Sequence, residues 1–186
     1  MAAPVLETRR LRLEPVELRH APDLQRHFND WEIIRNLATS VPWPYPDNGV
    51  VTFFEGNLLP RIANGTTYAW ALVLRDTNEG IGLLEWRFDD GPAGHRGFWI
   101  GRAHQRQGLM TEAVTALQDY AFIECGFERM VVLNAAVNTA SRRIKEKTGA
   151  RLLDTVELPH HSGASETQRW EITREGWIAF RAQDKS

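Results

Sequence analysis

Several things are scarce in this chain of 186 residues, and each scarcity closes off a class of protein. There is one cysteine, Cys125, so neither an intramolecular disulfide nor a cysteine-rich metal site is open to it. Near a helix end, that thiol reads as a packing residue. No apolar run approaches the roughly 20 residues that a membrane-spanning helix needs. The formal net charge is only −2, which argues against binding to nucleic acid or an anionic membrane through bulk charge. Repeats, low-complexity tracts and linkers are missing, so residues 1–186 read as a single domain. Nothing resembles a lysine-bearing phosphate loop of the ATP-binding kind. The first ten residues lack the apolar core of a signal peptide, and the expected location is the cytoplasm.

What remains is the composition of a globular domain, 42% hydrophobic and 25% charged, long enough to bury a substantial core. Leu11–Glu14 alternates like a first strand, and Pro22 can open a helix running to about Asn29. Residues 41–49 form a Pro- and aromatic-rich loop, followed by a second helix from about Asp47 through Arg61. Three strands are expected next. Thr67–Arg75 sets Tyr68, Trp70, Leu72 and Leu74 on one face. Ile81–Phe88 sets Ile81, Leu83, Glu85 and Arg87 against Leu84, Trp86 and Phe88, and Arg96–Arg102 is the third. Residues 110–121 switch to helical spacing, with Met110, Ala113, Val114, Leu117, Tyr120 and Ala121 in one stripe. Arg129–Val137 is a strand and Asn138–Lys147 a helix stopped by Gly149. Strands near Arg151–Leu158 and Glu166–Thr173 and a short helix after Thr173 complete the chain. The succession predicts an α+β (mixed α/β) fold with a twisted, mostly antiparallel sheet of about seven strands flanked by about four helices.

The segment richest in chemistry is Phe98-Trp-Ile-Gly-Arg-Ala-His-Gln-Arg-Gln-Gly-Leu-Met-Thr-Glu-Ala113, a strand, a polar loop and a helix start. Unpaired amides at such a start, aided by the helix dipole, form a site for phosphate or pyrophosphate. Arg106, Gln105 and Gln107 add donors, and Gly108 lets the backbone approach the ligand. A plain strand-to-helix turn would read much the same by itself.

The segment resembles the acetyl-CoA-binding loop of GCN5-related N-acetyltransferases (GNAT), Gln/Arg-x-x-Gly-x-Gly/Ala, with Gln105, Gly108 and Met110 at the named positions. Met110 replaces a small residue, which is compatible if its side chain enters the core. A second segment, Asn138 to Gly149, is similar to the Asn-x-x-Ser…Glu-Lys-x-Gly signature of the ribosomal-protein N-terminal (Rim-like) subgroup, through Asn138, Ser141, Glu146, Lys147 and Gly149. Ala150 stands where a Phe is usual. Glu7–Leu13 and Val41–Tyr45 extend the resemblance toward the N-terminus.

The resemblance implies an acetyl-CoA-dependent N-acetyltransferase without a metal, in which an amine attacks the thioester directly in a ternary complex. It implies CoA contacts from Ile100, Gly101, Arg102, Gln105, Arg106, Gln107, Gly108, Leu109, Met110, Thr111, Asn138, Ser141 and Arg143. The strand at 98–102 would splay from its neighbour and offer backbone groups at Ile100 and Arg102 to pantetheine. Asn138 would contact the pantetheine arm, or simply cap its helix; Ser141 would protonate the departing thiolate. Glu85 is the candidate to deprotonate the amine, its other reading being a strand-edge or solvent-facing carboxylate paired with Arg87. Arg142, Arg143 and Lys145 either meet the 3′-phosphate or are simply solvated. Trp31, Trp43, Tyr45 and Trp86 either line the acceptor cleft or belong to the core. His104 reads as a polar loop contact, and His160 and His161 as solvent-exposed loop histidines. The acceptor is expected to be a protein N-terminal α-amine or a small amine, and the expected assembly a homodimer. The competing class is a non-catalytic CoA sensor or protein-interaction module on the same fold.

Overall fold

The computed structural model describes residues 3–89, 91 and 94–183. A short hairpin opens the chain, β1 (Leu6–Glu7) and β2 (Leu11–Pro15). Four short helices follow: α1 (Ala21–Phe28), α2 (Trp31–Ile34), α3 (Gly49–Phe53) and α4 (Leu59–Ala63), the last two joined by a wider helical turn over Phe54–Leu58. Then come β3 (Thr67–Leu74), β4 (Gly80–Arg87), β5 (Arg96–Ile100) and α5 (Leu109–Gln118). After them lie β6 (Arg129–Ala135), α6 (Thr139–Lys147), β7 (Arg151–Glu157), β8 (Glu166–Thr173) and α7 (Arg174–Gln183). No helix among the described residues is long and apolar enough to cross a membrane.

All eight strands form one sheet in the order β1-β2-β3-β4-β5-β6-β8-β7. The strand beyond the expected seven is β1, whose two residues are too few to show an alternating pattern. Every pairing is antiparallel except β5 with β6, which are parallel and share a single register position, Arg96 opposite Val132. Beyond it the two strands diverge.

Each sheet face carries its own core. On one side α5 and α7 cover Leu13, Trp70, Leu72, Leu84, Trp86, Val132 and Trp170, with Met110, Val114, Leu117 and Trp177 buried against them. On the other, α1 to α4 cover Ala69, Ala71, Val73 and Leu83, with Leu24, Phe28, Tyr45, Phe54 and Leu58. Burying each such Leu or Val is worth roughly 1.5–3 kcal/mol over leaving it exposed, so the two-sided core fixes which strand face meets which helix. Ile81 departs from the expected alternation. Gly80 and Gly82 oppose the adjacent residues Val73 and Leu72, so Ile81 is the extra residue of a bulge, and its side chain joins Trp70 and Leu84 instead of Leu83. Cys125 also differs: it lies exposed beyond the end of the α5 segment rather than packed.

Candidate active site

The loop leaving β5 has the geometry that its sequence suggests. Gly101 still donates to the Ile81 carbonyl at 2.8 Å, after which a short turn (Arg102–His104) carries the chain away from the sheet. Arg106 (φ 62°) and Gly108 (φ 78°) are both left-handed, and Gly108 is the cap of α5. The first intrahelical bond runs from Glu112 N to Gly108 O at 3.0 Å. The amides of Leu109, Met110 and Thr111 therefore precede the hydrogen-bonded ladder, and no side chain caps them. Met110 turns into the core, which explains why a large residue is accommodated. Arg102, Gln105, Arg106, Gln107 and Gly108 stand exposed around the mouth.

Residues from outside the motif brace this loop from behind. Arg10 donates to the Gln107 carbonyl at 2.9 Å and through Nε to Glu112 Oε2 at 2.8 Å. Thr8 Oγ1 and the Arg10 amide both donate to Glu112 Oε1, at 2.6 and 2.8 Å. Partial burial pushes the Glu112 carboxyl up, but these bonds from Thr8 and Arg10 outweigh it and hold it below its usual value. Nothing in the local sequence around Glu112 announces a partner 102 residues away.

The splay between β5 and β6 is present, with the β6-facing edge of β5 unpaired beyond Arg96. Its free backbone groups are fewer than expected. The Ile100 carbonyl accepts from Gln105 Nε2, and the Arg102 carbonyl from Gln105 N, each at 3.2 Å. Gln105 is thus folded onto the strand it follows.

The start of α6 lies at the other side of the splay. Asn138 caps it, its Oδ1 accepting from Ser141 N at 3.0 Å. Ser141 is buried and accepts from Lys145 Nζ at 2.9 Å. Arg142 is exposed and paired with Glu146, and Arg143 is exposed. Lys145 is neither solvated nor a surface phosphate contact; it is 1% exposed. Its signal was in the sequence: Ser141, Ile144, Lys145 and Thr148 are spaced i, i+3, i+4, i+7, the inward stripe of a helix. Burial and the nearby Arg96 guanidinium hold Lys145 well below the usual lysine range.

Glu85 faces the opposite side of the sheet, in the direction of Leu83. It is buried, not solvent-facing, and its Oε2 meets two guanidinium groups, Arg87 at 3.2 Å and Arg61 at 3.3 Å. Arg61 was not among the expected site residues. Tyr45 packs edge-on against Phe28 (centroids 4.8 Å apart), and burial pushes its phenol up to about 12. Trp43 is 41% exposed and lies 5.2 Å from Trp31, ring to ring. Trp86 does not line this face. It alternates with Glu85 along β4 and is enclosed by Tyr68, Phe88, Tyr120 and Phe127 on the other side.

The loop histidines are tied down rather than solvated. His161 Nε2 donates to the Val41 carbonyl at 2.6 Å, and His160 Nε2 lies 2.7 Å from Thr167 Oγ1. Ser162 N donates to the Arg35 carbonyl at 2.8 Å, so the 159–165 loop closes onto the segment preceding Trp43. His104 meets His27 edge-on, with centroids 5.2 Å apart, and His27 Nε2 lies 2.9 Å from Glu79. Burial and His27 lower the His104 pKa against a raising influence of Glu79. Ligand atoms of His27, Glu79 and His104 lie within 4.8 Å of one another, the one such trio among the described residues. Glu79 is already engaged by His27 and, at 3.5 Å, by Arg26, contacts that a metal ion would have to displace.

The acetyltransferase (GNAT) domain profile matches residues 10–151. The uncharacterized N-acetyltransferase p20 of Bacillus licheniformis is 26% identical over 141 residues, 75% of this chain and 78% of that one. Among solved structures, a ribosomal-protein-S5-alanine acetyltransferase from Vibrio fischeri shares the fold with a TM-score of 0.78 at 14% identity, covering 94% of this chain and 99% of that one. RimL, a ribosomal alpha-N-protein acetyltransferase solved in complex with coenzyme A, superposes with a TM-score of 0.73 at 19% identity, over 91% of this chain and 96% of that one. The matched residues take in the loop, both splayed strands and the capped helix, and the chain belongs to the acetyltransferase (GNAT) domain family.

Proposed function

We propose that the protein transfers an acetyl group from acetyl-CoA to a primary amine, by direct attack in a ternary complex. The observation that carries this reading is the uncapped start of α5 behind the left-handed Gly108, placed beside a parallel strand pair that opens after one register position. In this reading the amides of Gly108–Thr111 take the pyrophosphate, with Arg106 and Gln107 at its rim and Arg143 toward the 3′-phosphate. Pantetheine lies along the open edge of β5, and Gln105 swings away from Ile100 to admit it. Asn138 fixes the first turn of α6, so the Ser141 hydroxyl faces the sulfur and protonates the thiolate as it leaves. On the far face Glu85, directly or through a water, takes the proton of the attacking amine. Such positioned proton transfers are typically worth about 10²–10⁴ in rate.

The closed contact between the 159–165 loop and Val41 narrows the acceptor class. An open groove there would suit a long peptide; His161 bridges it, and Trp31 and Trp43 wall the approach. The acceptor is therefore a small amine or the extreme end of a chain, such as the N-terminal α-amine acted on by Rim-like enzymes. Incubation with acetyl-CoA and a panel of amines and short peptides, read by mass shift, tests this. Acetylation of small amines or N-termini supports it, and binding of CoA without turnover on any amine refutes catalysis.

One observation favours the second reading, a non-catalytic CoA-binding module: the candidate base, Glu85, is engaged by two arginines at the same oxygen. Glu85→Gln and Ser141→Ala separate the two readings. A catalytic site loses turnover in both variants while CoA still binds.

A further inference from the structure

The interior between β5, α5 and α6 contains two buried cations, Arg96 and Lys145. Arg96 is 4% exposed and Lys145 1%, and neither forms an ion pair among the described residues. Arg96 Nη1 donates to Gln118 Oε1, whose Nε2 donates in turn to the Thr148 carbonyl at 3.0 Å. The Nε and Nη2 atoms of Arg96 have no hydrogen-bond partner among the described residues. Lys145 Nζ makes one hydrogen bond, the 2.9 Å contact to Ser141 Oγ. Both cations lie against the Phe98 ring, at 5.8 and 5.6 Å from its centroid.

Packing does not account for a lysine here. Burying an unpaired ammonium costs several kcal/mol, and a second cation nearby adds repulsion. Leucine or methionine would fill the same volume without either penalty. What lysine has and they lack is a transferable proton one hydrogen bond from Ser141.

We propose that Lys145 is a positioning residue that supplies, through Ser141, the proton taken by the departing CoA thiolate; the proposal rests on the role given to Ser141 above. As the tetrahedral intermediate collapses, the C–S bond breaks and its electron pair stays on sulfur. The Ser141 O–H proton passes to sulfur while an Nζ proton of Lys145 passes to Oγ. The products are a neutral thiol, an intact serine and a neutral lysine amine, which regains its proton from solvent when CoA leaves. The groups facing Nζ fit this. Arg96 comes from β5 and repels the ammonium, the apolar Phe98 ring comes from the same strand, Ser141 is on the same helix, and among the described residues no carboxylate pairs with Nζ. Burial lowers the Arg96 guanidinium too, to about 9, so at neutral pH it keeps its charge and the lysine is the member of the pair that gives its proton up.

Single-turnover rates from acidic to alkaline pH test the proposal, on wild type, Ser141→Ala, Lys145→Met, Lys145→Arg and the double variant Ser141→Ala/Lys145→Met. The wild-type rate should fall as the pH rises through the lowered Lys145 pKa and the side chain deprotonates. Lys145→Met should lower it by about 10²-fold, leave acetyl-CoA affinity unchanged and abolish that falling limb. Lys145→Arg, a cation that does not release its proton, should fail to rescue, and the double variant should be no slower than Ser141→Ala. A Lys145→Met enzyme that keeps wild-type rate and limb, beside an impaired Ser141→Ala, overturns the relay and leaves Ser141 its role. Rescue by arginine overturns it too, because a fixed charge would then suffice. An unimpaired Ser141→Ala removes the role of Ser141 and the relay together. Should Lys145→Met not fold, the Nζ titration of wild-type Lys145 read by nitrogen-detected NMR decides, since a midpoint away from the falling limb of the rate profile rules the relay out.

Discussion

Arg10 and Glu112 are joined by a 2.8 Å contact that fastens the N-terminal hairpin to the first turn of α5. The same arginine holds the Gln107 carbonyl, so one side chain sets both the loop and the helix that follows it. Replacing Glu112 by alanine removes three hydrogen-bond acceptances at once. Because bonds to a charged group are worth about 1.5–3 kcal/mol each and these three share partners, a loss of about 2–3 kcal/mol in folding free energy is expected, measured by urea denaturation. The kinetic signature should be a raised KM for acetyl-CoA with kcat near wild type. An unchanged KM would show that the loop holds its shape without the brace.

Glu14 is a source of acid sensitivity. It accepts from Arg12 at 2.9 Å and Arg19 at 2.8 Å, and lies 3.2 Å from His20. Burial pushes its carboxyl up, yet the bonds from Arg19, Arg12 and His20 prevail and bring it down to about 2. A carboxylate lowered in the folded state binds fewer protons there than in the unfolded chain. Its contribution is therefore complete above the unfolded value of 4.5 and disappears as the pH falls through about 2. Allowing for the exposure of Arg19, that contribution is about 2–3 kcal/mol. Glu14→Gln should lose it at neutral pH and flatten the stability profile across this acid window.

Gly108 tests the phosphate-loop reading without disturbing the core. Its φ of 78° is left-handed, and a Cβ built there meets nothing nearer than Arg10 Nη2 at 3.5 Å. The penalty of Gly108→Ala is thus conformational rather than steric, about 1–2 kcal/mol. Gly108→Trp adds bulk at the mouth and should abolish CoA binding by calorimetry while the protein remains folded by circular dichroism. Retained binding would move the phosphate site away from the start of α5.

The parts of this molecule legible in the sequence are those written in local patterns. Alternation marked β2 and β3, helical spacing marked α5, and Asn138 three residues before Ser141 marked a capped turn. Ile81 was misplaced because a bulge flanked by two glycines breaks the period of two, and alternation cannot register an inserted residue. Trp86 followed from its neighbour Glu85 only once β4 was known to be covered on both faces; an enclosed strand puts every second aromatic in the opposite core. Glu112 and Arg61 were invisible because their partners, Arg10 and Glu85, are distant in the chain. Lys145 is different. Its place on the inward stripe of α6 was readable, but its charge suggested a surface position.

That inward lysine yields a prediction about stability that is separate from its role in turnover. Replacing a buried charge with an apolar side chain of similar volume is often neutral or stabilising by about 1–4 kcal/mol, so Lys145→Met should raise the unfolding free energy at neutral pH. The pH dependence gives the sign. In the folded protein the lysine binds its proton less tightly than at the ordinary value of 10.5 in the unfolded chain. Between those two values the unfolded state carries more protons, and wild-type stability must rise with pH until 10.5 is passed. Lys145→Met lacks the titrating group, so its denaturation free energy should be flatter over the same interval and meet the wild-type curve toward its alkaline end. A variant less stable than wild type at neutral pH would mean that Ser141 and the Phe98 ring satisfy the ammonium fully. A variant that is more stable yet slower in turnover would show a destabilising group kept for chemistry.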